Sequence, residues 1–128
     1  VVVGSRAIVE ARREAIQQLT GRMFAKVGIA GAFEKATDAF FMANGRGAQL
    51  IQRLKELKRE YNVTAGGDKV AVASSNYHED YFGKRFAIEE RDGEPASSFC
   101  AAFGVERLTA AGLLTWGPSP SDWPEVFR

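Results

Sequence analysis

The segment SSFCAAFGVERL, residues 97–108, sets Glu106 and Arg107 directly after Phe103-Gly104. A strand that ends there and passes straight into a helix places Arg107 in the first helical turn. Unpaired backbone N–H groups and the positive helix end disfavour a cation at that point, so a counter-charge or a ligand is expected nearby. Exposed Glu–Arg pairs are commonly no more than solvated surface and add little stability. The other use of a planar guanidinium is to stack on an aromatic base while attracting phosphate. Gly104 would then let that ligand approach the backbone.

Two other groups of residues invite chemistry. SSNYHED, residues 74–80, holds the single histidine, His78, beside Glu79 and Asp80. His78 has the side chain of a base, and the trio suggests a metal. Three consecutive residues on alternating faces of a strand cannot all point at one ion, however. The basic residues Arg53, Lys55, Lys58 and Arg59 suggest a polyanion partner. They are interleaved with Glu56 and Glu60 and lack an aromatic stacking face, which is the pattern of a solvated helix face.

The elements that must position these residues follow from periodicity. Ile8, Ala15, Ile16, Leu19, Met23 and Val27 recur at helical spacing, with Arg12, Arg13, Glu14, Gln17 and Gln18 on other faces, so an amphipathic helix is predicted from about Arg6 to Lys26. Ser5 is its N-cap and Gly28 its stop. Residues 29–43 have no clean period and are expected as loop and short strand, with Phe33, Phe40 and Phe41 in the core. Leu50, Leu54, Leu57 and Tyr61 form a stripe that predicts a second helix over Gly47–Tyr61, ended by Gly66-Gly67. Strands are predicted at KVAVASS, at KRFAIEE and, after an Asp92-Gly93 turn, at EPASSFCAAF. A last helix spans about Gly104 to Thr115, and Gly117-Pro118-Ser119-Pro120 stops it before a Pro-rich tail over 117–128. The order predicts one α+β domain over residues 1–128, an antiparallel sheet flanked by helices.

Composition narrows the function classes. A chain of 128 residues with 45% hydrophobic side chains can bury a core, hiding roughly two thirds of its unfolded surface. Seventeen basic and sixteen acidic side chains give a net charge of +1, which supplies no general field for nucleic acid. The single cysteine, Cys100, excludes an intramolecular disulfide, so a reducing cytoplasm is the default. No run approaches the roughly 18 apolar residues of a membrane span. The chain opens Val1-Val2-Val3-Gly4 with no methionine, as though a strand were already under way, and reads like a cut end.

FGVERL resembles motif 3 of the class II aminoacyl-tRNA synthetases, a strand-to-helix element whose arginine lies over the adenine of ATP. Together, VASSNYHEDYFGKRFAI, RDGEPA and SSFCAAFGVERL resemble the end of the seryl-tRNA synthetase catalytic core, and most closely that of the amino acid:[carrier protein] ligases. The likeness extends back through ATDAFF to the helix after VVVGS. It implies the C-terminal part of a class II synthetase-like core that activates a small amino acid (glycine, alanine or serine) with ATP and Mg2+. The aminoacyl group then passes to the phosphopantetheine thiol of a carrier protein. Arg107 would contact adenine, with Glu106, Gly104, Ser75 and Asn76 also lining the nucleotide and amino-acid pocket. Adenylate formation is a displacement by an already ionised carboxylate, so His78 is assigned no catalytic role.

The resemblance also implies Zn2+. Cys100 falls where the atypical zinc-dependent seryl enzymes have a cysteine ligand, and thiolate is a soft donor that zinc prefers. A lone cysteine is otherwise commonly a small buried hydrophobe. The family's other ligands, a cysteine and a glutamate, lie upstream of a segment like VVVGS, as do motif 1, which builds a homodimer, and motif 2, whose arginine binds the α-phosphate. The chain is therefore expected to be part of a longer enzyme, inactive alone, or else a reduced relative that binds without catalysing. The ligases lack a tRNA-binding domain, which makes tRNA an unexpected partner. Arg53, Lys55, Lys58 and Arg59 are the expected contact for an acidic carrier protein. tRNA charging of the seryl type is the alternative activity.

Overall fold

The computed structural model describes residues 1–36 and 56–127. Strand β1 (Val2–Gly4) leads into helix α1 (Arg6–Lys26) and strand β2 (Gly31–Lys35). Strands β3 (Lys58–Ala65) and β4 (Asp68–Glu79), the short helix α2 (Tyr81–Phe86), strand β5 (Ser97–Phe103) and helix α3 (Val105–Trp116) follow. The five strands form one sheet in the order β1-β5-β4-β3-β2, and every pairing is antiparallel. The fold is α+β, an antiparallel sheet with flanking helices, as the sequence predicts.

Two apolar clusters fix the layers. Tyr61, Val63, Val72, Ala73, Ile29 and Ala111 pack with Phe24, Leu108 and Trp116, joining the middle of the sheet to α1 and α3. Val9, Tyr77 and Phe99 form the second cluster, with Val2 and Ile16 against it. Helix α1 has the predicted limits, with Gly28 at φ +81° closing it, but it buries a different stripe. Ile8, Leu19 and Met23 are about half exposed, while Arg13 and Gln17 turn to the sheet. The sheet surface beneath is polar: Gln17 donates to Ser75 Oγ at 2.9 Å, and Arg13 sits 5.6 Å over the Tyr77 ring. The helix rotates to meet hydroxyls and an aromatic face rather than a uniformly apolar one.

The second predicted helix is overturned where the structure describes it. Residues 58–61 belong to β3. The i, i+4 relation of Leu57 and Tyr61 mimicked a helix, yet the residues between them alternate, and each pairs across to β4. Leu50, Leu54, Phe40 and Phe41 lie outside the described residues. Gly66 and Gly67, both at positive φ, form the tight turn of the β3–β4 hairpin, as two-residue hairpin loops require. KRFAIEE is also corrected: Lys84-Arg85-Phe86 end helix α2, and Ala87 at φ +50° turns the chain into a small hairpin closed by the Glu89–Pro95 bridge. Gly83 is the reason a helix fits here, because a Cβ would stand 2.3 Å from the Ala96 carbonyl oxygen. Asp92-Gly93 makes the predicted turn, with Gly93 N–H donating to Glu90 O at 3.0 Å. The tail folds back on α3: Trp123 Nε1 donates to Gly117 O at 2.9 Å, and its ring lies 5.3 Å from Trp116.

A charge cluster ties β2 and β3 together. Glu56 pairs with Lys35 at 2.7 Å and with Arg59, while its carbonyl accepts from Arg13. The bond from Arg59, then that from Lys35, holds the carboxyl at about 2, against an ordinary 4.5. A depressed folded value means that this stabilisation is present above about pH 4.5 and is lost as pH falls toward 2. Glu56→Gln is therefore expected to remove part of the acid-induced destabilisation in that window, measured as the difference in urea midpoint between pH 5 and pH 2.5.

Candidate active site

The alternation of β4 and β5 divides the sequence-predicted site between two faces of the sheet. Ser75 points to α1, fully buried, where it accepts from Gln17 and lies 3.4 Å from Arg13 Nε. That corrects its assignment as a substrate contact, since α1 covers it. Ser74, Asn76 and Cys100 share the other face: Asn76 Nδ2 lies 3.1 Å from Ser74 Oγ and 3.5 Å from Cys100 Sγ. Asn76 and Cys100 are cross-strand partners, so residues 24 apart in sequence form one polar step.

An opening of about 280 Å³ continues from this step, lined by Lys58, Glu60, Ser74, Ala102, Gly104 and Arg107 among others. Its rim is the turn from β5 into α3. Gly104 is the N-terminal cap residue, donating to Val72 O at 2.9 Å and accepting from Leu108 N–H at 2.8 Å. Arg107 Nη1 donates to Ala71 O at 3.0 Å. A backbone carbonyl rather than a counter-charge thus holds one edge of the guanidinium, while the side chain stays exposed at the rim. Glu106 is exposed on the same first turn. Gly104 has φ −84°, and a Cβ there would make only ordinary 3.5 Å contacts with the Arg107 stem. The fold itself does not demand a glycine here.

Asn76 is 2% exposed, and its Oδ1 is buried with no hydrogen-bond partner among the described residues. A buried acceptor without a protein partner suits a ligand that donates. Cys100 is half-buried and reduced. No group of three His, Cys, Asp or Glu side chains comes together among the described residues. Cys100 is thus one soft donor, and these residues do not by themselves make a zinc site. His78 lies 3.0 Å from Ser98 Oγ and 4.9 Å from the Phe82 ring. Burial lowers its pKa and favours the neutral ring. Asp80 pairs with Lys84 at 2.9 Å.

The basic set is dispersed. Lys58 has a side chain only 11% exposed and faces the opening, paired with Glu60 at 3.0 Å. Arg59 points to the opposite face, where it meets Gln17 and Glu56. A shared solvent-facing helix surface is therefore not what Lys58 and Arg59 form, because strand alternation sends neighbours to opposite sides. Arg53 and Lys55 lie outside the described residues. Lys58 and Glu60 line the opening and were missed by the helical reading; Ser74 lines it too and was passed over for its neighbour Ser75. The signal for them was the period of two in KREYNVTA and in the strand that follows.

No family model matches the chain. It is 34% identical over 104 residues (80% of the chain, 32% of the relative) to amino acid–[acyl-carrier-protein] ligase 1 of Bradyrhizobium diazoefficiens. It is 33% identical over its whole length (39% of the relative) to ligase 2 of the same organism. The chain is a homologue of these ligases. It spans about a third of the length of these curated relatives. A type-2 serine–tRNA ligase of Methanopyrus kandleri is 34% identical over 56 residues, 44% of the chain and 11% of that relative. The fold is that of a seryl-tRNA synthetase: a crystal structure of the M. kandleri enzyme with A. aeolicus tRNASec superposes with a TM-score of 0.82 over 98% of this chain and 25% of that one, at 21% identity. This homologue thus carries the synthetase-like fold, and Arg107 stands on its strand-to-helix turn.

Proposed function

We propose that the chain forms the adenine-facing half of an enzyme that activates a small amino acid with ATP and transfers it to a carrier protein. The observation that carries this reading is Arg107, held by the Ala71 carbonyl at the rim of an opening of about 280 Å³ beside Gly104, in a homologue of proteins named as amino acid–[acyl-carrier-protein] ligases. The guanidinium supplies a flat cation for the adenine ring. A carboxylate oxygen of the amino acid attacks the α-phosphorus, and the bond to pyrophosphate breaks. The phosphopantetheine thiol, its proton released to solvent, then attacks the acyl carbon as the thiolate; the bond from that carbon to the phosphate oxygen breaks, and AMP leaves with the bonding electrons. Neither step asks His78 for a proton, in keeping with its neutral, buried ring.

Asn76 Oδ1 is suited to accept from the ammonium of the amino acid, beside Ser74 and Cys100. Cys100 would be one ligand if zinc holds that ammonium, the others coming from outside the described residues. Mg2+ would accompany ATP. Amino-acid-dependent exchange of labelled pyrophosphate into ATP by the intact enzyme tests the activation step. Exchange with glycine, alanine or serine supports it, and nucleotide binding without exchange contradicts it. Because the fold tolerates a Cβ at 104, Gly104→Ala is expected to leave the urea midpoint nearly unchanged. It should raise the KM for ATP several-fold, by about 1 kcal/mol of lost contact.

The match to a serine–tRNA ligase supports a competing reading in which the acceptor is tRNA. The adenylate half would be the same.

A further inference from the structure

The middle of the opening carries an ion pair that the activation chemistry above leaves unused. Lys58 Nζ and Glu60 Oε1 are 3.0 Å apart, with side chains 11% and 23% exposed, and both line the opening. Register sets their places. Glu60 is level with Ser74 and Ala102, and Lys58 with Asn76 and Cys100. These are successive steps on one face, about 7 Å apart along the strands. Arg107 reaches Ala71, beyond the Glu60 step. A ligand lying along the face therefore meets Arg107, then Glu60 with Ser74, then Lys58 with Asn76 and Cys100.

An aminoacyl adenylate runs in the same order: base, ribose, phosphate, amino acid. The chemistry of the two side chains agrees with that direction. A carboxylate only accepts hydrogen bonds and repels phosphate, so its match is the neutral moiety with hydroxyl donors. An ammonium only donates, and its match is a phosphoryl oxygen. Ala102 adds only a methyl group at the Glu60 step, where a sugar ring needs space. Resting on the ATP reading, we propose that Glu60, oriented by Lys58, accepts hydrogen bonds from the ribose hydroxyls, and that Lys58 lies beside the α-phosphoryl group.

The test measures binding of ATP, 2′-deoxyATP and 3′-deoxyATP to the intact enzyme by calorimetry, beside pyrophosphate exchange. A hydrogen bond to a charged acceptor predicts that the wild type prefers ATP over at least one deoxy analogue by about 10- to 100-fold. Glu60→Gln should collapse that preference to about threefold or less, because a neutral acceptor bonds more weakly. Lys58→Gln should weaken AMP binding by a larger factor than it weakens adenosine binding, since only AMP loses a phosphate contact as well as the orientation of Glu60. A wild type that binds all three nucleotides equally overturns the proposal without any variant, as does a folded Glu60→Gln protein that keeps the full preference. Loss of pyrophosphate exchange with the ribose preference intact would sink the activation reading alone.

Discussion

Arg107→Ala in the intact enzyme should raise the KM for ATP by about 5- to 30-fold, the equivalent of the about 1–2 kcal/mol that a cation stacked on a ring is worth when water is excluded. The KM for the amino acid should change little, since Arg107 stands at the end of the face remote from Asn76 and Cys100. The domain should stay folded, because the side chain is exposed and its hydrogen bond among the described residues is to Ala71 O. Arg107→Lys should recover less than half of the lost affinity: a point charge replaces the lost cation but not the planar surface. Unchanged ATP kinetics in the alanine variant would remove Arg107 from the site.

The largest effect on stability is expected at Tyr61. It is 2% exposed, its ring lies 5.1 Å from both Phe24 and Phe33, and its hydroxyl accepts from Gly31 N–H at 3.0 Å. It joins α1, β2 and the middle of the sheet. Tyr61→Ala should cost about 3–5 kcal/mol, as a buried aromatic truncated to a methyl leaves a cavity that packed neighbours cannot fill. Tyr61→Phe should cost only about 1 kcal/mol, the value of one hydrogen bond. Chemical denaturation of the two variants checks the ratio. Equal losses would mean that the hydroxyl, not the ring, holds β2 in place.

What could be read in the sequence depended on how local each signal was. The first and last helices, the Asp92-Gly93 turn and the β5-to-α3 transition were legible because periodicity and glycine conformation are local properties, whereas Gly66-Gly67 was read as the end of a helix and is the turn of a hairpin. β3 was not. Its Leu57–Tyr61 spacing suits a helix as well as a strand, and only pairing with β4, a long-range fact, decides between them. The KRFAI helix was hidden for a similar reason. Gly83 packs on the Ala96 backbone, a contact that no window of neighbouring residues reveals. These errors carried over to the site. Ser75 was chosen where Ser74 faces the opening, a slip of one residue that reverses the face. Lys58 was assigned to solvent because β3 had been read as a helix. Arg107, Gly104, Asn76 and Cys100 survived as neighbours of one face because the β4 and β5 assignments were right.

Adenylate formation and the identity of the acceptor can be read in a single experiment. The intact enzyme would be incubated with ATP, Mg2+ and glycine, alanine or serine, in the presence of both a phosphopantetheine-bearing carrier protein and a tRNA pool. Each acceptor would then be weighed by mass spectrometry. The carrier protein should gain the mass of one aminoacyl group, removable by hydroxylamine as a thioester should be, while the tRNA stays unchanged. Aminoacylated tRNA beside an unmodified carrier protein would contradict transfer to a carrier protein.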